Sequence, residues 1–206
     1  MLPSSEACQR NKNPILGVLK DAFAATRQVL EIGSGTGEHA VYFARHLPQL
    51  HWQPSDTAEH LPTLRARIEH EGGANLAPPI LLDVRSHPWP VAGIDGIFSA
   101  NTLHIMSPQA VREFFHGVGA HLAQGGVLCI YGPFRYAGRY TSESNAAFDR
   151  YLRERDAASA IRDFEAVDGL ARQEGLELDG DYDMPAHNRT LVWRGREAGA
   201  GIRPRT

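Results

Sequence analysis

The chain has 206 residues, 42% of them hydrophobic and 22% charged, a size suited to one domain and a composition that excludes a disordered or fibrous protein. No apolar run approaches the roughly 20 residues that a membrane-crossing helix needs; the opening Met1-Leu2-Pro3-Ser4-Ser5-Glu6 lacks the pattern of a secretory signal, and Cys8 and Cys129 cannot build a disulfide framework or a four-thiolate metal site. A net charge of −3, with Lys12 and Lys20 the only lysines, weighs against a nucleic-acid partner, so the expectation is a cytoplasmic protein acting on a small molecule, without membrane association or bound metal.

Apolar β-rich runs alternate with helix-period segments, the pattern of a parallel sheet covered by helices on both faces. Gln28-Val29-Leu30-Glu31-Ile32 reads as the first strand and ends in glycines. A helix from Glu38 to His46 is stopped by Pro48, and Leu50 to Pro54 makes a second strand. Leu61, Leu64 and Ile68 mark one face of the next helix, which ends at Gly72-Gly73, and Ile80 to Val84 reads as strand three. Gly96 to Ala100 is strand four. Ser107-Pro108 then supplies an N-cap and a proline at the first helical position, with Val111, Phe114, Phe115, Val118 and Leu122 as the buried stripe and Gly125-Gly126 as the stop. Val127 to Tyr131 is too continuously apolar for anything but a central strand.

From about residue 132 to 160 the rhythm breaks, and such an excess of chain predicts a lid or substrate-recognition insertion. A helix carrying Phe164, Val167, Leu170 and Ala171 ends at Gly175. Leu176 to Leu178 and Thr190 to Trp193 should pair antiparallel, with Asp179-Gly180 as the turn signal. Residues 1–195 read as a single domain, and the tail from Arg196 to Thr206 as disordered.

Glu31-Ile32-Gly33-Ser34-Gly35-Thr36-Gly37 lies between a strand and a helix, where glycines let the backbone approach a ligand closely. A dinucleotide loop prefers Gly-x-Gly-x-x-Gly, and here Glu38 occupies the place of the third glycine. S-adenosylmethionine (SAM) carries no phosphate; its loop needs closeness to a nucleoside and an amino acid, and Glu31 suits the cationic amino group. Asp56, ending strand two, is placed to accept from both ribose hydroxyls. Asp83, ending strand three, suits the adenine amine, with Val84 beside the ring. Taken singly, each has a bland alternative: glycines make turns, and an aspartate after a strand caps helices. Together they fall on the strand ends where ligands of open α/β sheets bind. Gly33, Ser34, Gly35 and Gly37 form the predicted cofactor loop, and nicotinamide binding is the weaker reading.

Leu30 to Ala40, Trp52-Gln53-Pro54-Ser55-Asp56, Asn101-Thr102-Leu103-His104-Ile105, Tyr131-Gly132-Pro133-Phe134 and Met184-Pro185-Ala186-His187-Asn188 together resemble the family called domain of unknown function 938, which includes methyltransferase-like protein 26. The resemblance runs from about Asn11 to Arg194 and implies a SAM-dependent methyltransferase with a Rossmann-like, seven-stranded, mostly parallel sheet, helices on both faces and an antiparallel C-terminal strand. It supplies no substrate. His187 stands where the family pattern leads one to expect Asn, which makes it a poor obligatory base.

Methyl transfer needs an aligned nucleophile, exclusion of water and, for weak nucleophiles, removal of a proton. His104, after strand four, is the first candidate for base or orienting group; its bland alternative is a packed core histidine. Tyr131, after strand five, either donates a hydrogen bond or closes the pocket, and Asn101 suits the methionine part of the cofactor. Asn145, Asp149, Leu152 and Asp156 recur at helical spacing, as a solvated ion-paired face or a substrate wall. Asn11, taken to precede the first helix, belongs to a segment that closes over the cofactor in related folds. With His187 and Asn188, Asn11, Asn145 and Asp149 make up the candidate substrate contacts. No Asn/Asp-Pro-Pro-aromatic motif and no Pro-Cys pair occurs, which leaves oxygen, nitrogen or sulfur of a small molecule as acceptor. The rival of a different class is a SAM-binding protein without turnover.

Overall fold

A computed structural model describes residues 5–196. In chain order its elements are α1 (Glu6–Ala22), β1 (Gln28–Ile32), α2 (Glu38–His46), β2 (His51–Asp56), α3 (Leu61–Glu71), β3 (Ile80–Leu81), β4 (Ile94–Ala100), α4 (Pro108–His121) and β5 (Leu122–Gly132). There follow β6 (Phe134–Tyr136), β7 (Arg139–Tyr140), α5 (Glu143–Arg155), β8 (Arg162–Asp163), α6 (Phe164–Gln173), β9 (Leu176–Met184), a single 3-10 turn (Pro185–His187) and β10 (Asn188–Gly195).

Seven strands form one sheet in the order β3-β2-β1-β4-β5-β10-β9. β1 runs parallel to β2 and β4, β2 to β3, and β4 to β5. β10 alone is reversed, pairing antiparallel with both β5 and β9. This is the expected Rossmann-like α/β sheet, and the parallel strands end along one edge. Alternate side chains of the strands feed two cores, as the pleat demands. On one face Val29, Trp52, Phe98 and Cys129 pack under α1, α2 and α3; on the other Leu30, Ile97, Leu128 and Leu191 pack under α4 and α6. No described helix is long and apolar enough to cross a membrane.

Local chemistry accounts for the best-defined helix starts. Ser107 Oγ accepts from Ala110 N at 3.2 Å with Pro108 at the first helical position, and Ser142 does the same for Asn145 N at 3.1 Å. Elsewhere tertiary pairing overrides the local signal. Gly125-Gly126 does not stop α4: the helix ends at His121, and both glycines lie inside β5 at a register shift between Leu122, which pairs with Ile94 of β4, and Val127, where pairing with β4 and β10 continues. The turn at Asp179-Gly180 is absent as well. β9 runs through these residues to Met184 with a register shift opposite Val192/Trp193, and the chain reverses at Pro185–His187. β3 stops at Leu81, since only Ile80 and Leu81 find partners on β2, which leaves Asp83 in the following turn. Asn11 lies inside α1 rather than ahead of the first helix. Of the segment expected to be a disordered tail, Arg196 is tied to β9, its Nε donating to Glu177 Oε1 at 3.0 Å; residues 197–206 lie outside the described residues.

The irregular stretch after β5 is a small structure of its own. β6 pairs antiparallel with β7 and parallel with β8, and α5 packs against β7. A buried carboxylate staples it: Asp149 accepts from Tyr140 OH at 2.8 Å, Arg153 Nε at 2.8 Å and the Ile161 amide at 2.5 Å.

Two helical glycines give a matched test of this packing. A Cβ on Gly117 of α4 would enter the buried Trp89 ring, whereas one on Gly169 of α6 meets nothing within 4 Å. Gly117→Ala should destabilise by about 1–3 kcal/mol from overpacking, and Gly169→Ala should stabilise by up to about 1 kcal/mol from helix propensity. Thermal melts should move in opposite directions, by roughly 2–4 °C per kcal/mol for a chain of this size; a Gly117→Ala melt at or above that of the parent chain would show that Trp89 does not pack there.

Candidate functional site

The glycine loop folds back onto the end of β2. Gly33 N and Ser34 N both donate to Ser55 O at 3.1 and 3.0 Å, Ser55 N donates to Ser34 Oγ at 3.2 Å, and Gly35 N donates to Asp56 Oδ2 at 2.6 Å. Gly33 (φ 74°) and Gly35 (φ 55°) occupy the left-handed region, where a side chain is strained. They use their missing Cβ differently. A Cβ on Gly33 would collide with the Thr102 methyl, while Gly35 faces open space. Gly37 starts α2 in a left-handed conformation, and a Cβ there would stand 2.9 Å from Leu64 of α3. Gly33 and Gly37 therefore admit neighbouring elements, and Gly35 leaves room for a ligand.

Beside Gly35 a cleft of about 560 Å³ opens at the carboxyl ends of β1, β2 and β4, within the range of small-molecule sites. It brings together Gly33, Gly35, Asp56, Asp83, Val84 and Asn101 of the predicted cofactor set. Leu82, Ile105 and Met106 add apolar wall, and His60, Thr102 and Asp156 add polar wall. Asp56 is buried and accepts from Gly35 N and, through Oδ1 at 2.7 Å, from Thr57 N. Thr57 Oγ1 also donates to Oδ1, at 3.4 Å; a carboxylate offers about four lone-pair sites, so part of its accepting capacity stays open to a ligand's hydroxyls. Asp83 is held by Arg85, whose Nη2 and Nε donate at 2.6 and 2.9 Å, and these bonds keep its carboxyl below the usual range. Asn101 sits at φ 58°, a conformation asparagine tolerates, with its amide donating to Tyr131 O at 2.8 Å.

Glu31, Ser34, Gly37, His104 and Tyr131 do not line this cleft. Ser34 Oγ accepts from Ser55 N, and its hydroxyl bonds the Glu31 carboxylate. Glu31 lies under α1 and α2 and accepts from Trp52 Nε1 at 2.9 Å; burial, reinforced by the charge of Asp56, raises its pKa to about 7 against those hydrogen bonds. Tyr131 projects to the same face, with Asn11 and Asn188 facing its hydroxyl, and burial raises its pKa. His104 follows β4 and is also buried: its ring meets Phe148 of α5 edge-on at 5.3 Å, and its Nδ1 lies near Gly132 at the end of β5. Burial, aided by the positive charge of Arg162, lowers the His104 pKa to about 4. Its ring nitrogens bond no described residue.

The candidate substrate contacts divide. Asn11 and Asn188 converge on Tyr131, and Asn11 Oδ1 lies 2.8 Å from His39 Nε2. Asn145 and Asp149 are buried and bonded within the molecule, which overturns the solvated-face reading. Asn145 Nδ2 donates to His187 O at 3.0 Å and to Thr141 Oγ1 at 2.8 Å. Burial opposes the charge of Asp149, but hydrogen bonds from Arg153, Ile161 and Tyr140 hold it below the usual carboxylate range. His187 is exposed, and its carbonyl carries its contacts. The pattern reading missed Arg162, which donates to the carbonyls of Leu103 and Met106 around His104, while Ala160 N donates to His104 O at 2.9 Å. Nothing local in the sequence marks a long-range side-chain bond of this kind.

The fold recurs in solved structures that share little sequence with this chain. An O-methyltransferase family protein from Burkholderia thailandensis superposes with a TM-score of 0.78 at 21% identity, over 91% of this chain and 57% of that one. Human N-acetylserotonin methyltransferase in complex with SAM gives 0.78 at 14% identity, over 93% and 53%. PigF with S-adenosylhomocysteine (SAH) gives 0.76 at 19%, over 89% and 55%. The chain thus spans little more than half the length of these proteins. A family model described as a protein of unknown function (DUF938) matches residues 2–195, and the chain belongs to that family.

Proposed function

We propose that this protein is a SAM-dependent methyltransferase that methylates an oxygen, nitrogen or sulfur atom of a small molecule in the cytoplasm. The observation that carries the reading is the cleft itself, in which a glycine with open space at its Cβ position, a buried carboxylate with spare lone pairs and the apolar Leu82 and Val84 meet at the strand ends. The methyltransferase folds that superpose on it, two of them with SAM or SAH, support the choice of ligand. When bound, SAM supplies a methyl group on a positively charged sulfur.

In this reading Asp56 accepts from the ribose hydroxyls, Asp83 accepts from the adenine amine, Leu82 and Val84 flank the ring, and Asn101 holds the methionine part. Glu31 faces the cationic amino group from beneath the loop. Its neutral form prevails below a pH of about 7, and a cation brought beside it would favour the carboxylate. His104 is neutral at physiological pH. It is too weak a base to strip an alcohol before attack, so it orients the acceptor and takes the proton as the new bond forms. The methyl acceptor enters beside Ile105, an exposed apolar residue at the cleft wall. The reading without turnover draws on His104 and Tyr131 lying outside the cleft lining. Incubation with labelled-methyl SAM and a metabolite extract separates the two: label reaching an acceptor supports the enzyme, and label remaining on SAM supports the binder. Calorimetry with SAM and SAH tests the shared premise, and failure to bind either overturns both.

Asp56→Ala should cost about 2 kcal/mol of SAM affinity, roughly 30-fold; calorimetry giving an unchanged affinity would place the ribose elsewhere. His104→Ala should leave SAM affinity within about twofold and abolish turnover, and turnover equal to that of the parent chain would remove it from the chemistry. Glu31 adds a pH test. The folded chain binds its proton up to a pH of about 7, while the unfolded chain releases it near the ordinary glutamate pKa of about 4.3. Its contribution is therefore present at low pH and is lost as pH rises through that window. Glu31→Gln, which keeps an acceptor for Trp52, should be more stable than the parent chain above pH 7, by on the order of 1–3 kcal/mol, while binding SAM more weakly. Denaturant melts at pH 5 and pH 8 read the difference, and equal slopes in both proteins would mean that Glu31 does not titrate in this range.

A further inference from the structure

A second cleft, of about 440 Å³, shares no lining residue with the first. Neighbouring residues divide between the two: Ser107 and Ala110 line the first, Pro108 and Val111 the second, and Asp156 and Ala157 separate in the same way. Four arginines, Arg112, Arg135, Arg153 and Arg162, line the second cleft against one carboxylate, Asp163. This gathers cationic charge in a chain whose net charge is −3. The floor is apolar, with Val111, Ile161 and Val167 all buried.

The protein's own acceptors satisfy these guanidinium groups only in part. Arg135 Nη2 donates to Asp163 Oδ2 at 2.6 Å, but Arg135 Nε and Asp163 Oδ1 are buried without a partner. Arg153 gives Nε to Asp149. Arg162 gives Nε to Leu103 O and Nη2 to the carbonyls of Met106 and Ala158. Arg112 is exposed and makes no hydrogen bond or ion pair with a described residue. Burial, and then the positive charges of Arg153 and Arg135, depress the Arg162 pKa, so the cations stand close enough to repel one another. Like charges held together at the rim of an apolar pocket are relieved by an anion, and the planar guanidinium fork matches carboxylate and phosphate oxygens two at a time.

We propose that this cleft binds a small polyanion, a compound bearing two or more carboxylates or a phosphate group on a short carbon skeleton, separately from the ligand of the first cleft. Calorimetry on the full chain, with citrate and inorganic phosphate as probes and ionic strength held constant with sodium chloride, tests this. Saturable one-to-one binding of at least one probe is expected, and the probe that binds distinguishes carboxylate from phosphate recognition. Arg112→Glu should weaken that binding tenfold or more and Arg112→Ala a few-fold, both at an exposed residue without internal partners. Arg65→Glu, at an exposed position on α3, should leave it unchanged. Absence of saturable binding by either probe, or an equal loss in Arg65→Glu, would overturn the proposal.

Discussion

The first cleft depends on one constraint, the tying of the β1–α2 loop to the last two residues of β2. Two loop amides share Ser55 O, and a third meets Asp56 Oδ2. Backbone donors in a tight loop must find acceptors, and here the neighbouring parallel strand supplies them. That strand ends level with β1, with Ile32 opposite Ser55, so the loop is drawn over the sheet edge and not out into solvent. The same bonds leave the outer side of Gly35 open and set the Asp56 carboxylate in the cleft wall with part of its accepting capacity spare.

The insertion is bound to this edge through the β4–α4 connection. Arg162, Ala160 N and Ser159 Oγ together engage the carbonyls of Leu103, His104, Ile105 and Met106. Carbonyls of a loop that forms neither helix nor strand would otherwise face water, so these bonds both fix the loop and seat the insertion. His104 thus takes its position from two parts of the chain far apart in sequence, β4 through covalent continuity and the 158–162 segment through hydrogen bonds. Asp149 plays the corresponding part inside the insertion, where one buried carboxylate gathers donors from β7, α5 and the segment leading to β8.

Much of this is legible in the sequence where the signal is local. The glycine loop, the Ser107-Pro108 helix start and the continuously apolar β5 each carry their reason within a few residues. The residue pattern alone accordingly places Gly33, Gly35, Asp56, Asp83, Val84 and Asn101 at one edge of the sheet. The misreadings share a different cause. Gly125-Gly126 and Asp179-Gly180 are strong punctuation in isolation, yet each falls at a register shift inside a strand whose long-range pairing resumes on the other side. The Asn145–Asp149 stripe has helical spacing under either reading, and only the positions of Tyr140, Ile161 and His187 show that it is turned inward and saturated. The burial of Glu31 beneath α1, and of His104 beside α5, depends on elements far from either residue.

The place of β10 in the sheet bears on how the chain folds. β5 is buried along Gly126–Gly132 in the finished molecule and carries β10 on one of its two edges. During synthesis that edge has no strand to pair with until Asn188–Gly195 has left the ribosome, well after β1 to β5 can assemble. An apolar strand with an unpaired edge is a template for association with other chains, and non-local closure of this kind is slow. A chain whose first five strands form before β10 is made would hold the buried half of β5 open to neighbouring copies, and its yield on refolding should fall as concentration rises.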